Sequence, residues 1–274
     1  MYAAMADRED CVELLVKKGA SPNIQDGNGQ TAVHLAAVSG SHRCLRTLIS
    51  KNPDLRVRDI DGRTPLHLAT SHSSSKCVST ILRKLKSHEL NDTDNEKMTA
   101  LHWSAYNNTT ENIKVLMKAG ADIAVTDMDG KTALHWTANN QDPSSARVLC
   151  ELAPLAVNLK DIEGRTALHL AVVVGNRPVA ETLMSGVGTA RCDLSAADME
   201  FRTALHWAAV LGNSEMVALL LERGASAHAQ DSVGATPLHY AVSYQLSGEE
   251  MSLFSLSSIS QAQNNHVVRN SETV

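Results

Sequence analysis

Residues 201–213 read FRTALHWAAVLGN, and their chemistry specifies a short helix with a start, a buried side and a stop. Thr203 is suited to the N-cap, its hydroxyl accepting from a first-turn N–H, while His206 three residues on reaches back as in a capping box. Leu205, Ala208 and Ala209 make an apolar stripe whose small members admit a second helix closely, and Gly212 supplies the left-handed conformation that ends the first. Asn213 or Ser214 then caps a second helix, in which Met216, Val217, Leu220 and Leu221 recur at helical spacing until Gly224 stops it.

The motif is not alone. Copies begin at Thr31, Thr64, Thr99, Thr132, Thr166, Thr203 and Thr236, separated by 33, 35, 33, 34, 37 and 33 residues. That is the period of a stacked two-helix repeat, which buries its apolar face only against its neighbours. Pro65 and Pro237 stand at the first helical position, where no donor is lost. An Asp lies five residues before every motif Thr: Asp26, Asp59, Asp94, Asp127, Asp161, Asp198 and Asp231. Gly lies two before it in five copies, with Lys97 and Phe201 in the other two. The pair marks a turn in which the carboxylate accepts from backbone N–H groups and Gly takes a positive φ, so Lys97 and Phe201 are expected to distort or strain their turns by about 1 kcal/mol.

Composition sets outer limits. The net charge of −5 and pI near 6.2 give no electrostatic footprint for nucleic acid. No run of 18 apolar residues and no secretory signal is present, so a soluble cytosolic chain without membrane insertion is expected. Cys11, Cys44 and Cys77 are 33 apart and share one register, which reads as buried core packing; Cys150 and Cys192 fall outside it. Seven of the twelve His residues are the motif His, and the Asp residues are explained by turns. With no nucleophile elbow, phosphate loop or zinc spacing, no enzymatic activity, metal or cofactor is expected.

These features together resemble the ankyrin repeat family: the T-x-L-H motif, the Gly between helices, the Gly-Ala helix endings at Gly19, Gly120 and Gly224, and the D-x-x-G hairpin. The expected fold is an all-α ankyrin solenoid over residues 1–245, with six complete repeats, a truncated first repeat at 1–24 and a partial last one. TALHWSAYNN from Thr99, KTALHWTANNQDPS from Lys131, FRTALHWAAVLGN from Phe201 and the 37-residue step are further similar to the inversin group, which includes diversin and Diego. That resemblance implies a scaffold in cilium-associated signalling, at the basal body and cytoskeleton, balancing Wnt signalling against planar cell polarity. The implied partners are Dishevelled, nephrocystins and a NIMA-related kinase. Calmodulin binding is not implied, because the I-Q-x-x-x-R motif is absent.

Extending the register backwards places Met1 at the motif His position, and a Ser-rich stretch over 246–274 stands where a second helix belongs; a truncated or partial form is expected. The stretch reads as a disordered tail, or as a weak amphipathic helix through Met251, Phe254 and Ile259. In ankyrin arrays partners meet the concave side, built from hairpin tips and the ends of the first helices. Carried onto this register, that face comprises Arg63, Tyr106, Asn107, Met128, Asp129, Lys131, Asn139, Asn140, Arg165, Val173, Val174, Arg202, Val210 and Leu211. Its charges read either as a solvated ion-pair ladder or as the rim of an apolar groove centred on Val173, Val174, Val210 and Leu211. Trp103, Trp136, Trp207 and Tyr240, four after Thr, are expected to fill the core. Two rival functions remain: an ankyrin segment of a larger enzyme or channel, and an inert fragment.

Overall fold

The computed structural model describes residues 1–186 and 191–246, with only the backbone described over 243–246. The 246–274 stretch, with Met251, Phe254 and Ile259, therefore lies outside the described residues apart from Leu246, as do four residues of the long step. Helices alternate in two stacks. The first comprises α1 (Tyr2–Met5), α3 (Ala32–Val38), α5 (Pro65–Ala69), α7 (Ala100–Tyr106), α9 (Ala133–Trp136), α11 (Ala167–Val173), α13 (Ala204–Val210) and α15 (Pro237–Leu246). The second comprises α2 (Glu9–Lys17), α4 (His42–Ile49), α6 (Lys76–Leu82), α8 (Thr110–Lys118), α10 (Ser144–Leu152), α12 (Arg177–Met184) and α14 (Ser214–Glu222). Most helices pack on their partner and on the equivalent helix of the next repeat, from α1 on α3 and α2 on α4 to α13 on α15, while α10 meets the turn that follows α9. Helix α9 is short, and the chain continues as a 3-10 turn, Thr137–Asn139, into an extended Asn140.

Burial shows that the neighbour makes the core. The residue two after the motif Thr is at most 2% exposed at Val33, Leu66, Leu101, Leu134, Leu168 and Leu205, whereas Leu238 on α15 is 70% exposed. The Cys register obeys the same rule from the other side. Cys44 and Cys77 are buried, but Cys11 is exposed, contrary to expectation, because no described repeat stacks on the outer side of α2. Burial pushes the thiols of Cys44, Cys77 and Cys150 up to about 11, which leaves them protonated packing groups.

The turns are built alike in all seven copies. Oδ1 of each Asp accepts N–H bonds from residues two and four ahead, at 2.7–3.1 Å. Lys97 and Phe201 do not distort their turns: both sit at φ 59° and their N–H groups bond Asp94 and Asp198 as the glycines do. The glycines there reach φ 71–82°, so the two side chains have settled nearer the left-handed minimum open to L-residues. Lys97→Gly is predicted to stabilise the array by about 1 kcal/mol, read as a higher denaturant midpoint at unchanged m-value.

Six of the seven motif His residues join two repeats. The Thr N–H donates to Nδ1 at 3.0–3.2 Å in every copy. With Nδ1 accepting, the proton resides on Nε2, which donates to the carbonyl just before the next Thr: Arg63, Met98, Lys131, Arg165, Arg202 and Ala235, at 3.0–3.3 Å. Burial, by penalising the imidazolium, lowers the pKa of His34, His67 and His135, and brings His102 and His169 to about 4. The unfolded chain, with ordinary His pKa near 6.5, therefore binds more protons than the folded one between about pH 6.5 and 4. Stability is predicted to be full above that window and to fall as pH drops through it, by roughly 3 kcal/mol for each of His102 and His169. Urea midpoints at a series of pH values check this, and His102→Gln should flatten the slope.

Candidate protein-binding face

Between the second helix of one repeat and the first helix of the next, the turns stand as a row of hairpins joined edge to edge. From the second hairpin on, the N–H four before the Thr donates to the carbonyl of the preceding hairpin: Ile60 to Asn28, Asn95 to Asp61, Met128 to Glu96, Ile162 to Asp129, Met199 to Glu163 and Ser232 to Glu200, at 2.9–3.1 Å. Gly is required where this ladder is tight. A Cβ at Gly130 would lie 2.7 Å from the Ile162 nitrogen.

In four copies the second oxygen of the turn Asp links hairpin to helix. Trp103, Trp136 and Trp207 donate Nε1–H to Oδ2 of Asp94, Asp127 and Asp198 at 2.8–3.0 Å, and the Tyr240 hydroxyl donates to Asp231 at 2.6 Å. Where Leu68 and Leu170 replace the aromatic residue, Arg63 and Arg165 hold Asp59 and Asp161 instead, at 3.0 and 2.9 Å. Arg202 joins Trp207 at Asp198. The three indoles are half-buried, so the expectation of core filling is only partly met. The ring bodies of Trp136 and Trp207 pack on the core while each indole N–H is spent on a carboxylate. Sequence reasoning missed this role, although the constant nine-residue offset from Asp to aromatic carried it.

The residues assigned to the face separate into groups. Tyr106 stands edge-on between Trp103 and Trp136, centroids 5.8 and 5.7 Å away, and Lys131 Nζ lies 5.6 Å from the Trp136 ring while pairing with Asp129. Arg202 covers Trp207 at 4.5 Å. Arg63, Arg165 and Arg202 are largely buried by their turn carboxylates, and Arg165 is also paired with Glu163, so these guanidiniums are committed to the fold. The basic side chains are thus enclosed, which is more than a solvated ladder of weak pairs. Asn140 donates to the Ala105 carbonyl across the repeat boundary, Asn107 is the half-buried end of α7, and Asn139 is exposed. Met128 and Asp129 are exposed at a hairpin tip. Val173, Val210 and Leu211 are half-buried and Val174 exposed, on the adjacent helices α11 and α13 or just beyond their ends. Among the described residues no group of His, Cys, Asp and Glu gathers as a metal site, and no helix is long and apolar enough to cross a membrane.

Repeated helix pairs and a hairpin ladder define a repeat solenoid. The chain belongs to the ankyrin repeat family: the family described as Ankyrin repeats (3 copies) matches residues 1–94, 61–127, 101–198 and 186–252. Among solved structures it is similar to the ankyrin repeat domain of Bcl-3, described as a unique member of the IkappaB protein family. That similarity has TM-score 0.67 and 25% identity, over 81% of this chain and 96% of that one. Among curated proteins it is similar to inversin from Gallus gallus (50% identity over 42 residues), Danio rerio (51% over 41) and Homo sapiens (48% over 42). Each match covers 15% of this chain and 4% of the relative.

The Trp–Asp bonds yield a graded prediction. Trp103→Phe removes the indole donor from Asp94, where Met98 stands in place of a basic residue, whereas Trp207→Phe leaves Arg202 on Asp198. Thermal or denaturant unfolding should show a loss of about 2 kcal/mol for the first and clearly less for the second.

Proposed function

We propose that the chain is a non-enzymatic scaffold that binds protein partners on the face formed by its hairpin tips and first-helix ends. The observation that carries this reading is the set of aromatic, cationic and apolar side chains gathered on that face. Trp103, Tyr106 and Trp136 with Lys131 form an aromatic and cationic patch, and Val173, Val174, Val210 and Leu211 supply apolar positions on α11 and α13 or at their ends. Aromatic anchors beside polar groups are what interface centres are made of.

The finer reading is an inversin-like scaffold in cilium-associated signalling and the balance of Wnt signalling with planar cell polarity, with Dishevelled, nephrocystins and a NIMA-related kinase as partners. Its support is the motif resemblance together with the 41–42-residue likeness to inversins. Proximity labelling in ciliated cells tests both levels. A variant carrying Val173→Asp and Leu211→Asp, shown by circular dichroism to remain folded, should lose most of the wild-type labelled set. An unchanged profile rejects the proposed face. A labelled set lacking Dishevelled, nephrocystins and the kinase rejects the finer reading and favours an ankyrin segment serving another protein.

A further inference from the structure

One exposed apolar feature is not explained by helix packing. Four residues before the motif Thr, Ile60, Met128, Ile162 and Met199 are each more than half exposed, and Phe201 joins them at 63%. They are not scattered. Three of them lie on consecutive hairpins, and the ladder bonds of Met128, Ile162 and Met199 hold these in one register. The Ile162 side chain lies across the preceding hairpin, its Cγ2 being 2.8 Å from where a Cβ on Gly130 would stand. Side chains of this size left largely in water along one edge and rimmed by charge are a recurrent mark of an interaction surface.

The charge beside the strip selects the occupant. Each five-residue hairpin segment, from the turn Asp to the residue before Thr, carries a net −1. Across the seven segments twelve acidic residues face five basic ones, a net −7 in a chain of net −5, so the rest of the chain is net +2. Glu96, Asp129, Glu163 and Glu200 are exposed on the strip, adjoining its apolar members. A nucleic acid or a second copy of this edge would meet like charge along its whole length. We propose that the strip receives an extended protein segment in which basic residues alternate with apolar ones, its cations meeting Glu96, Asp129, Glu163 and Glu200 and its apolar side chains covering Met128, Ile162 and Met199. The inference rests on the protein-binding reading above and supplies the class of partner.

Fluorescence anisotropy with labelled nine-residue peptides tests it: alternating Lys and Leu, alternating Lys and Ser, and alternating Glu and Leu. The whole chain should bind the first about tenfold more tightly than the second and should not bind the third, a tenfold ratio being about 1.4 kcal/mol. Two variants of identical net charge then separate the strip from general acidity. Glu96→Gln, Glu163→Gln and Glu200→Gln together should weaken binding about tenfold, whereas Glu13→Gln, Glu111→Gln and Glu222→Gln, on the second-stack helices, should change it less than about twofold. Met199→Ser with Ile162→Ser should erase the preference for Leu over Ser. Equal affinity of the two charge variants, or equal binding of the Leu and Ser peptides, overturns the inference. If the peptides fail while Val173→Asp with Leu211→Asp still removes proximity labelling, the strip is rejected and the binding face stands; if both fail, both are rejected.

Discussion

The buried imidazole of the T-x-L-H motif is the group on which the architecture turns. A Thr alone would cap its helix, and a Leu alone would seek any apolar cover, but neither fixes where the next repeat sits. The imidazole does both jobs because its two nitrogens differ: one accepts from the Thr N–H of its own repeat and the other donates to a carbonyl about 30 residues on. Helix start and repeat stacking are therefore one cooperative event. The same requirement keeps the ring neutral, so the array is held by a group whose ordinary protonation would break a link in each repeat.

The turn carboxylate plays the complementary part at the hairpin. One oxygen closes the turn and the other ties the hairpin to an indole, a phenol or a guanidinium. The partner at that second oxygen is exchanged from copy to copy while the geometry is kept. A buried carboxylate accepts any donor that reaches it, so aromatic and basic residues substitute for one another at different sequence positions.

Much of the helix pairing was legible from Thr31 to Thr236, because capping, apolar spacing and Gly endings are local instructions. The register also located the hairpins and the motif His. Neighbour-dependent properties were not legible from one repeat: Cys11 shares the register of Cys44 and Cys77 yet is exposed, since burial belongs to the interface. Lys97 and Phe201 looked like distortions but fit, because a shift of φ from the glycines' 71–82° to 59° suffices. For the candidate face, Tyr106, Met128 and the Val positions came from carrying the concave face of ankyrin arrays onto this register, whereas the commitment of Arg165 to Asp161 and of the indoles to carboxylates required the distances.

The carbonyl that receives the motif imidazole belongs in turn to Arg63, Met98, Lys131, Arg165, Arg202 and Ala235, and the bond is the same in each. A main-chain oxygen is blind to the side chain that carries it. Selection on what this row presents to other proteins can therefore proceed with little toll on the link beneath, and a mutational path from one partner to another can run along the hairpins while the stacking register stays constant.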